Sequence, residues 1–97
     1  MIRHVVLFRW SAEATPERKQ RVVTELGRLP AILPTLRAYR LGADLGLVEG
    51  NYEFAAVADF DDLDGYLAYR DNPEHQAIIA EFIRPIAAER AAVQYEF

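Results

Sequence analysis

The sequence predicts an α+β domain in which a four-stranded antiparallel sheet carries helices on one face. Three observations predict it: apolar segments of strand character, helical periodicity between them, and cap residues followed by proline at two helix starts. The chain has 97 residues, of which 52% are hydrophobic and 27% charged. This composition suits one globular domain, residues 1–97, and argues against disorder.

The first half of the chain predicts a strand, a helix and a second strand. Thr15 followed by Pro16 is typical of a helix N-terminus, because threonine caps the free N–H groups and proline has no N–H to leave unpaired. We expect this helix to end at Pro30. The strands are expected over Ile2–Trp10 and about Leu36–Leu41.

The second half predicts a strand, two helices and a last strand. Two cap signals mark the helix starts: Asp61 or Asp62, and then Asn72 before Pro73. We expect the last helix to end or kink at Pro85. The strands are expected over Tyr52–Phe60 and about Ala91–Phe97.

This order of elements is that of a ferredoxin-like βαββαβ subunit, with helices on one face of the sheet. Alternation along the first strand puts His4, Val6 and Phe8 on one face, and Val5 and Leu7 on the other. Neither set is polar enough for open water. We therefore expect the face without helices to pack against a second copy, giving a homodimer through the sheet faces.

Composition also excludes several classes of function. The net charge is −4 and the arginines are scattered, so no nucleic-acid surface is expected. The chain has no cysteine, which excludes disulfides, thiol nucleophiles and cysteine-ligated metals. The spacing of histidines and glycines fits neither a zinc site nor a phosphate loop, so neither metal nor cofactor is expected. The apolar N-terminal run is too short and too charged for a signal peptide or membrane span, which predicts a cytoplasmic location.

Four segments carry a family resemblance. They are residues 2–8 (Ile-Arg-His-Val-Val-Leu-Phe), 42–44 (Gly-Ala-Asp), 52–60, and 69–75 (Tyr-Arg-Asp-Asn-Pro-Glu-His) with its Pro-x-His motif. Together they resemble the stress-responsive dimeric α+β barrel family, Dabb, over essentially the whole chain. The resemblance implies a dimer in which two ferredoxin-like sheets face each other and form a barrel.

One plant branch of that family is similar to polyketide cyclases. There the histidine of Pro-x-His is the general base and a preceding tyrosine assists, so the resemblance implies these roles for His75 and Tyr69. It also implies that His4 lines the same pocket. The first helix departs from that branch, since Val22 and Leu26 stand among positions where the cyclases have large aromatics. The substrate therefore does not carry over.

His75 is also a candidate base from its position alone. If Asn72 is the N-cap, His75 is the third helical residue, where the helix dipole disfavours a protonated imidazole. A neutral imidazole can accept a proton. The alternative is a histidine at the core edge with no chemical role. The residues expected to bind a small, apolar carbonyl substrate are His4, Val6, Phe8, Ile78 and Phe82.

Three functions stay open, so the sequence does not decide whether the chain is an enzyme. The first is a cofactor-free cyclase, isomerase or lyase in which His75 is the general base and Tyr69 stabilises an oxyanion. The second is a non-catalytic stress-response or binding domain in which His75 only starts a helix. The third, a heme- or quinone-related monooxygenase, has the least support, because the Pro-x-His motif resembles the stress-responsive branch.

Overall fold

A computed structural model describes residues 1–97 and contains the predicted four-stranded antiparallel sheet. The strand order is β2-β3-β1-β4, so the first and third strands lie at the centre. This order confirms the ferredoxin-like fold class. The strands are β1 (Ile2–Trp10), β2 (Leu36–Ala43), β3 (Phe54–Phe60) and β4 (Ala87–Glu96).

The helices all belong to the connections that follow β1 and β3. No helix is long and apolar enough to cross a membrane. They are α1 (Pro16–Leu26), α2 (Leu29–Ile32), α3 (Leu63–Asp71) and α4 (Pro73–Ile78), the last of which runs on into a π-helical turn (Ile79–Ile83).

Helix α1 begins where the cap signal predicted. The Thr15 hydroxyl accepts a hydrogen bond from the Arg18 backbone N–H at 3.2 Å, and Pro16 is the first helical residue. The predicted end at Pro30 is wrong, because α1 stops at Leu26 and Pro30 lies in the first turn of α2. Proline is compatible with a helix start, where its missing N–H costs no hydrogen bond.

Asn72 separates α3 from α4 and caps both. Its backbone N–H donates to the Tyr69 carbonyl at the end of α3, while its side-chain oxygen accepts from the His75 backbone N–H at 3.0 Å. Asp62 caps α3 in the same way by accepting from Gly65. His75 is therefore the third residue of α4, as the sequence predicts.

Two strand boundaries differ from the prediction. β3 begins at Phe54 rather than Tyr52, and β4 begins at Ala87, well before the expected Ala91. The earlier start extends the pairing of β4 with β1 as far as Trp10, across an irregularity at the Arg9/Trp10 step. The extra residues bring charged side chains beside the helices, where the site lies.

The structure decides which face of β1 the helices cover. His4, Val6 and Phe8 are buried beneath the helices, and the core they enter contains Phe60 and Ile83. The opposite face has no helix over it. Its apolar residues are partly or fully exposed, among them Val5, Leu7, Val57, Val93 and Tyr95.

Candidate functional site

A cavity of about 380 Å³ lies between the helix side of the sheet and the segment from α3 to the π-helical turn. Its volume is in the range of small-molecule sites. Aromatic and imidazole rings form much of its wall, including His4, Phe8, Tyr66, Tyr69 and His75. The sheet supplies two of these rings, and the helices supply the other three.

His75 and Tyr69 stack against each other in this wall. Their ring centroids are 4.0 Å apart with an angle of 30° between the planes, so Tyr69 holds the imidazole by face contact. Only 7% of His75 is exposed, and its buried Nδ1 has no hydrogen-bond partner. Burial lowers the pKa of His75, against the opposing effect of the Tyr69 and Arg70 backbone carbonyls. The imidazole is therefore neutral at physiological pH, the form that accepts a proton.

Tyr69 keeps its hydroxyl proton across the same range. Burial is the main cause that raises its pKa, so the group remains a hydrogen-bond donor. Behind it, the buried hydroxyl of Tyr39 has no partner. Tyr39 lines a small void of about 50 Å³ that shares His4, Tyr69 and His75 with the main cavity. The cavity is thus backed by a narrow space with an unsatisfied polar group.

His4 faces the two tyrosines of α3 from the sheet. Its ring centroid lies 5.4 Å from that of Tyr66 and 5.9 Å from that of Tyr69, and its Nδ1 is 2.8 Å from the side-chain nitrogen of Gln94. Burial, helped by the charge of Arg90, lowers the pKa of His4 to about 4. His4 is therefore also neutral, and in this arrangement Gln94 donates to Nδ1 and leaves the ring proton on Nε2.

The residues predicted from the sequence separate into two groups. His4, Phe8, Tyr69 and His75 line the main cavity, and Val6 lines the small void behind it. Ile78 and Phe82 line neither space. Ile78 is buried in the core, and Phe82 lies on the other side of its helix, beneath the guanidinium of Arg21 at 4.8 Å.

The π-helical turn explains why Phe82 is displaced, whereas Ile78 precedes the turn and lies in the regular part of α4. In an uninterrupted α-helix, at about 100° per residue, Phe82 would lie about 20° from the direction of His75 and Ile83 about 80° from it. Here Arg84 N–H donates to the Ile79 carbonyl at 2.9 Å, which closes a wider turn. Each residue then advances less around the axis. Ile79 and Ile83 line the cavity instead.

Sequence reasoning missed the four charged residues of the wall, which are Arg70, Arg84, Glu89 and Arg90. Arg84 follows the π-helical turn, which no sequence signal predicted. Arg90 lies directly opposite Phe8 in the β1–β4 pairing and so shares the helix side of the sheet. Alternation counted back from Gln94, which pairs with His4, would have found Arg90 if the strand had been started earlier.

No three histidine, aspartate or glutamate side chains converge in a way that could hold a metal ion. The polar side chains that line the cavity include two neutral imidazoles, tyrosine hydroxyls and guanidinium groups.

The chain matches the family described as Stress responsive A/B Barrel Domain, Dabb, over residues 2–97. It belongs to the Dabb family. This confirms the resemblance read from the Pro-x-His motif and the strand segments. No curated protein matches the chain.

Solved structures similar to this Dabb chain include one from a protein half identical to it. A dimeric ferredoxin-like protein of unknown function from Thermobifida fusca YX is 51% identical, with a TM-score of 0.91 over 99% of this chain and 90% of that one. A Dabb family protein from Mesorhizobium loti MAFF303099 is 19% identical, with a TM-score of 0.83 over 99% of this chain and 95% of that one.

A hydroxynitrile lyase from Passiflora edulis is also similar in structure. It is 20% identical, with a TM-score of 0.85 over 97% of this chain and 90% of that one. At this level of identity, the likeness shows the fold that this Dabb chain shares with the lyase and does not extend to the activity.

Proposed function

We propose that this Dabb protein is a cofactor-free enzyme that removes a proton next to a carbonyl group, in a cyclisation, isomerisation or lyase step on a small, mostly apolar compound. The observation that carries the proposal is the neutral imidazole of His75, stacked on Tyr69 at 4.0 Å in the wall of a cavity of ligand size.

His75 and Tyr69 have separate roles in the proposed reaction. His75 accepts a proton from the carbon next to the carbonyl, and the electron pair of the broken C–H bond moves to the carbonyl oxygen as an enolate. Tyr69, whose hydroxyl stays protonated, donates a hydrogen bond to that oxygen. The enolate then has three outcomes. It takes the proton back from His75 at another atom, it attacks a second carbonyl of the same molecule whose oxygen takes that proton, or it expels a leaving group from the adjacent carbon that takes that proton. In each case His75 returns to its neutral form.

Proton exchange tests the proposal without knowledge of the natural substrate. Phenylacetone and phenylpyruvate, incubated with the protein in D₂O, should exchange the protons next to their carbonyl groups faster than without it, as followed by NMR. His75→Ala should slow this catalysed exchange at least about 100-fold, the usual worth of a general base. Thr15→Ala is the matched control, because it removes a helix cap far from the cavity and should leave exchange unchanged.

The competing function is a non-catalytic stress-response or binding domain. One observation favours it: the His75 backbone N–H donates to the Asn72 side chain, so His75 already has a structural role at the start of α4. If wild-type and His75→Ala proteins give the same exchange, this second function stands and the catalytic proposal fails. The monooxygenase hypothesis gains no support from the cavity.

We also propose that the protein is a homodimer in which the helix-free sheet faces pack together, with the cytoplasm as its predicted location. The exposed apolar residues on that face support the dimer, as does the Thermobifida fusca protein, which is dimeric and 51% identical. In this arrangement the cavity of each subunit lies on the far side of its own sheet from the interface.

A further inference from the structure

Two guanidinium groups at the cavity have no acidic partner. Arg84 and Arg90 both line it, and neither forms an ion pair or a side-chain hydrogen bond within the chain. Acidic groups are not scarce, since the chain has 15 acidic and 11 basic side chains. The arginines that do pair with a carboxylate are Arg3, Arg9, Arg21, Arg28, Arg37 and Arg70.

Glu89 is the acidic residue among those that line the cavity, and its carboxylate already has partners. Glu89 contacts Arg9, with 3.4 Å between its Oε2 and the Arg9 Nε, and it accepts a hydrogen bond from the Tyr52 hydroxyl. Glu89 is paired with Arg9 across the β1–β4 ladder, whereas Arg90 is paired with Phe8 and so points to the opposite, helix-covered face. The sheet thus places the Glu89 carboxylate on the Arg9 side, where it is already paired, and the Arg90 guanidinium on the helix side.

The charge of Arg90 reaches the groups proposed to do chemistry. It helps burial to lower the pKa of His4 and opposes the rise that burial causes in the pKa of Tyr69, so its positive charge acts on both cavity groups. Arg90 also lines the small void behind His75. Both arginines are solvent-exposed while lining the cavity, so a ligand carboxylate can reach them, and the planar fork of a guanidinium matches two carboxylate oxygens.

We propose that Arg84 and Arg90 bind a carboxylate group of the ligand, so that the cavity takes a small anion with an apolar, aromatic or aliphatic body. This rests on the proposed function for one point only, that the same ligand carries the carbonyl group facing His75. Binding of the ligand carboxylate by the two guanidinium groups also assists the proposed proton removal. Removing a proton from a molecule that already bears a carboxylate creates a second negative charge, and the two guanidinium groups reduce its cost.

Binding of a matched acid and amide tests the carboxylate assignment without measuring catalysis. The probes are 4-phenylbutanoate and 4-phenylbutanamide, which have the same shape and differ in charge, and the measurement is the dissociation constant by calorimetry. Wild-type protein should bind the acid about 10-fold to 100-fold more tightly than the amide, the range of a charge-assisted hydrogen-bonded pair. The double variant Arg84→Gln/Arg90→Gln should reduce this preference to about 2-fold or less, with its fold checked by circular dichroism.

Two controls separate this inference from the proposed function. Arg18→Gln removes an exposed arginine on α1 that also lacks a carboxylate partner, and it should keep the full preference for the acid. His75→Ala should keep that preference as well while losing proton exchange. Equal binding of acid and amide by wild-type protein, or an undiminished preference in the double variant, would overturn the carboxylate assignment. Absence of proton exchange in wild-type protein would instead remove only the catalytic proposal.

Discussion

His4 is buried on the helix side of β1, where 5% of it is exposed and the positive charge of Arg90 acts on it. The same environment that keeps His4 neutral in the cavity makes its protonation at low pH destabilising to the fold. A protonated imidazole loses its hydration there and gains a cationic neighbour. The protein therefore keeps His4 uncharged at some cost to its stability at low pH.

This gives a prediction for pH dependence. The unfolded chain protonates His4 near its ordinary pKa of 6.5, whereas the folded chain does so only near pH 4. Since the unfolded state binds more protons in this window, the free energy of unfolding should fall as the pH drops from about 6.5 to about 4. His4 should account for about 2 kcal/mol of the loss between pH 7 and pH 5.

Urea denaturation at pH 7 and pH 5 checks it. His4→Gln keeps an acceptor for Gln94 but cannot titrate, so its unfolding free energy should fall by about 2 kcal/mol less than that of the wild-type protein over the same interval. A variant with the same loss as wild type would show that His4 ionises normally in the folded chain. The interval stays above the range in which paired carboxylates such as Asp59, whose pKa is lowered by Arg3, take up protons.

Among the elements, the joint between α3 and α4 does most to place His75. Asn72 ends one helix through its backbone and starts the next through its side chain. Tyr69 lies in the last turn of α3 and His75 in the first turn of α4, so the ring stack spans this joint. The position of the imidazole consequently depends on one side-chain amide.

Asn72→Ala should lower the free energy of unfolding by about 1 kcal/mol, because the first turn of α4 loses the acceptor for the His75 N–H. Asn72→Ser supplies a hydroxyl acceptor in the same place and should recover most of the loss. Chemical denaturation of the three proteins measures both differences. If the alanine variant matches the wild-type protein in stability, the hydrogen bond at 3.0 Å contributes nothing to the joint.

Local signals allowed most elements to be predicted from the sequence. Strand alternation, Thr15 before Pro16 and Asn72 before Pro73 act within a few residues, so they are legible in the sequence. The prediction that α1 ends at Pro30 was wrong because proline occurs both after the end of a helix and in its first turn. Here Pro30 lies in the first turn of α2. The π-helical turn had no local signal in the sequence.

The same distinction applies to the site. His75 and Tyr69 were recognisable because a short motif holds them, and His4 because a histidine interrupts an apolar strand face. The choice of Ile79 over Ile78 required the helical phase relative to His75, and the choice of Ile83 over Phe82 required the π-helical turn. Arg90 required the register of β4 against β1, a non-local property.

At the scale of the whole molecule, the helix-free sheet face is an apolar surface that the subunit itself leaves exposed. Val93 is 54% exposed and Tyr95 44%, beside the partly buried Val5 and Leu7 of β1. A protein of this size rarely leaves a continuous apolar face in water. The proposed homodimer covers it.

Val93→Asp should convert the dimer to monomers, since it would bury a carboxylate without a partner against the apolar sheet face of the other copy. Sedimentation or light scattering measures the mass. Leu63→Asp is the matched control, because Leu63 is 58% exposed but lies at the start of α3, where an acidic residue suits the helix dipole. It should keep the mass of two chains. A Val93→Asp protein that also keeps that mass would exclude this sheet face as the interface.

The π-helical turn has a consequence for how members of the family are compared. A π turn is the shape a helix takes when it accommodates one residue more than its regular path requires. Losing a single residue between Ile79 and Ile83 would restore regular winding and turn different side chains toward the cavity, with every other amino acid unchanged. Specificity in this fold can therefore diverge by insertion and deletion as readily as by substitution. Relatives with and without this extra residue should be aligned through the helix by superposing their structures. An alignment by residue type alone would match residues that line the cavity in one protein with core residues in another.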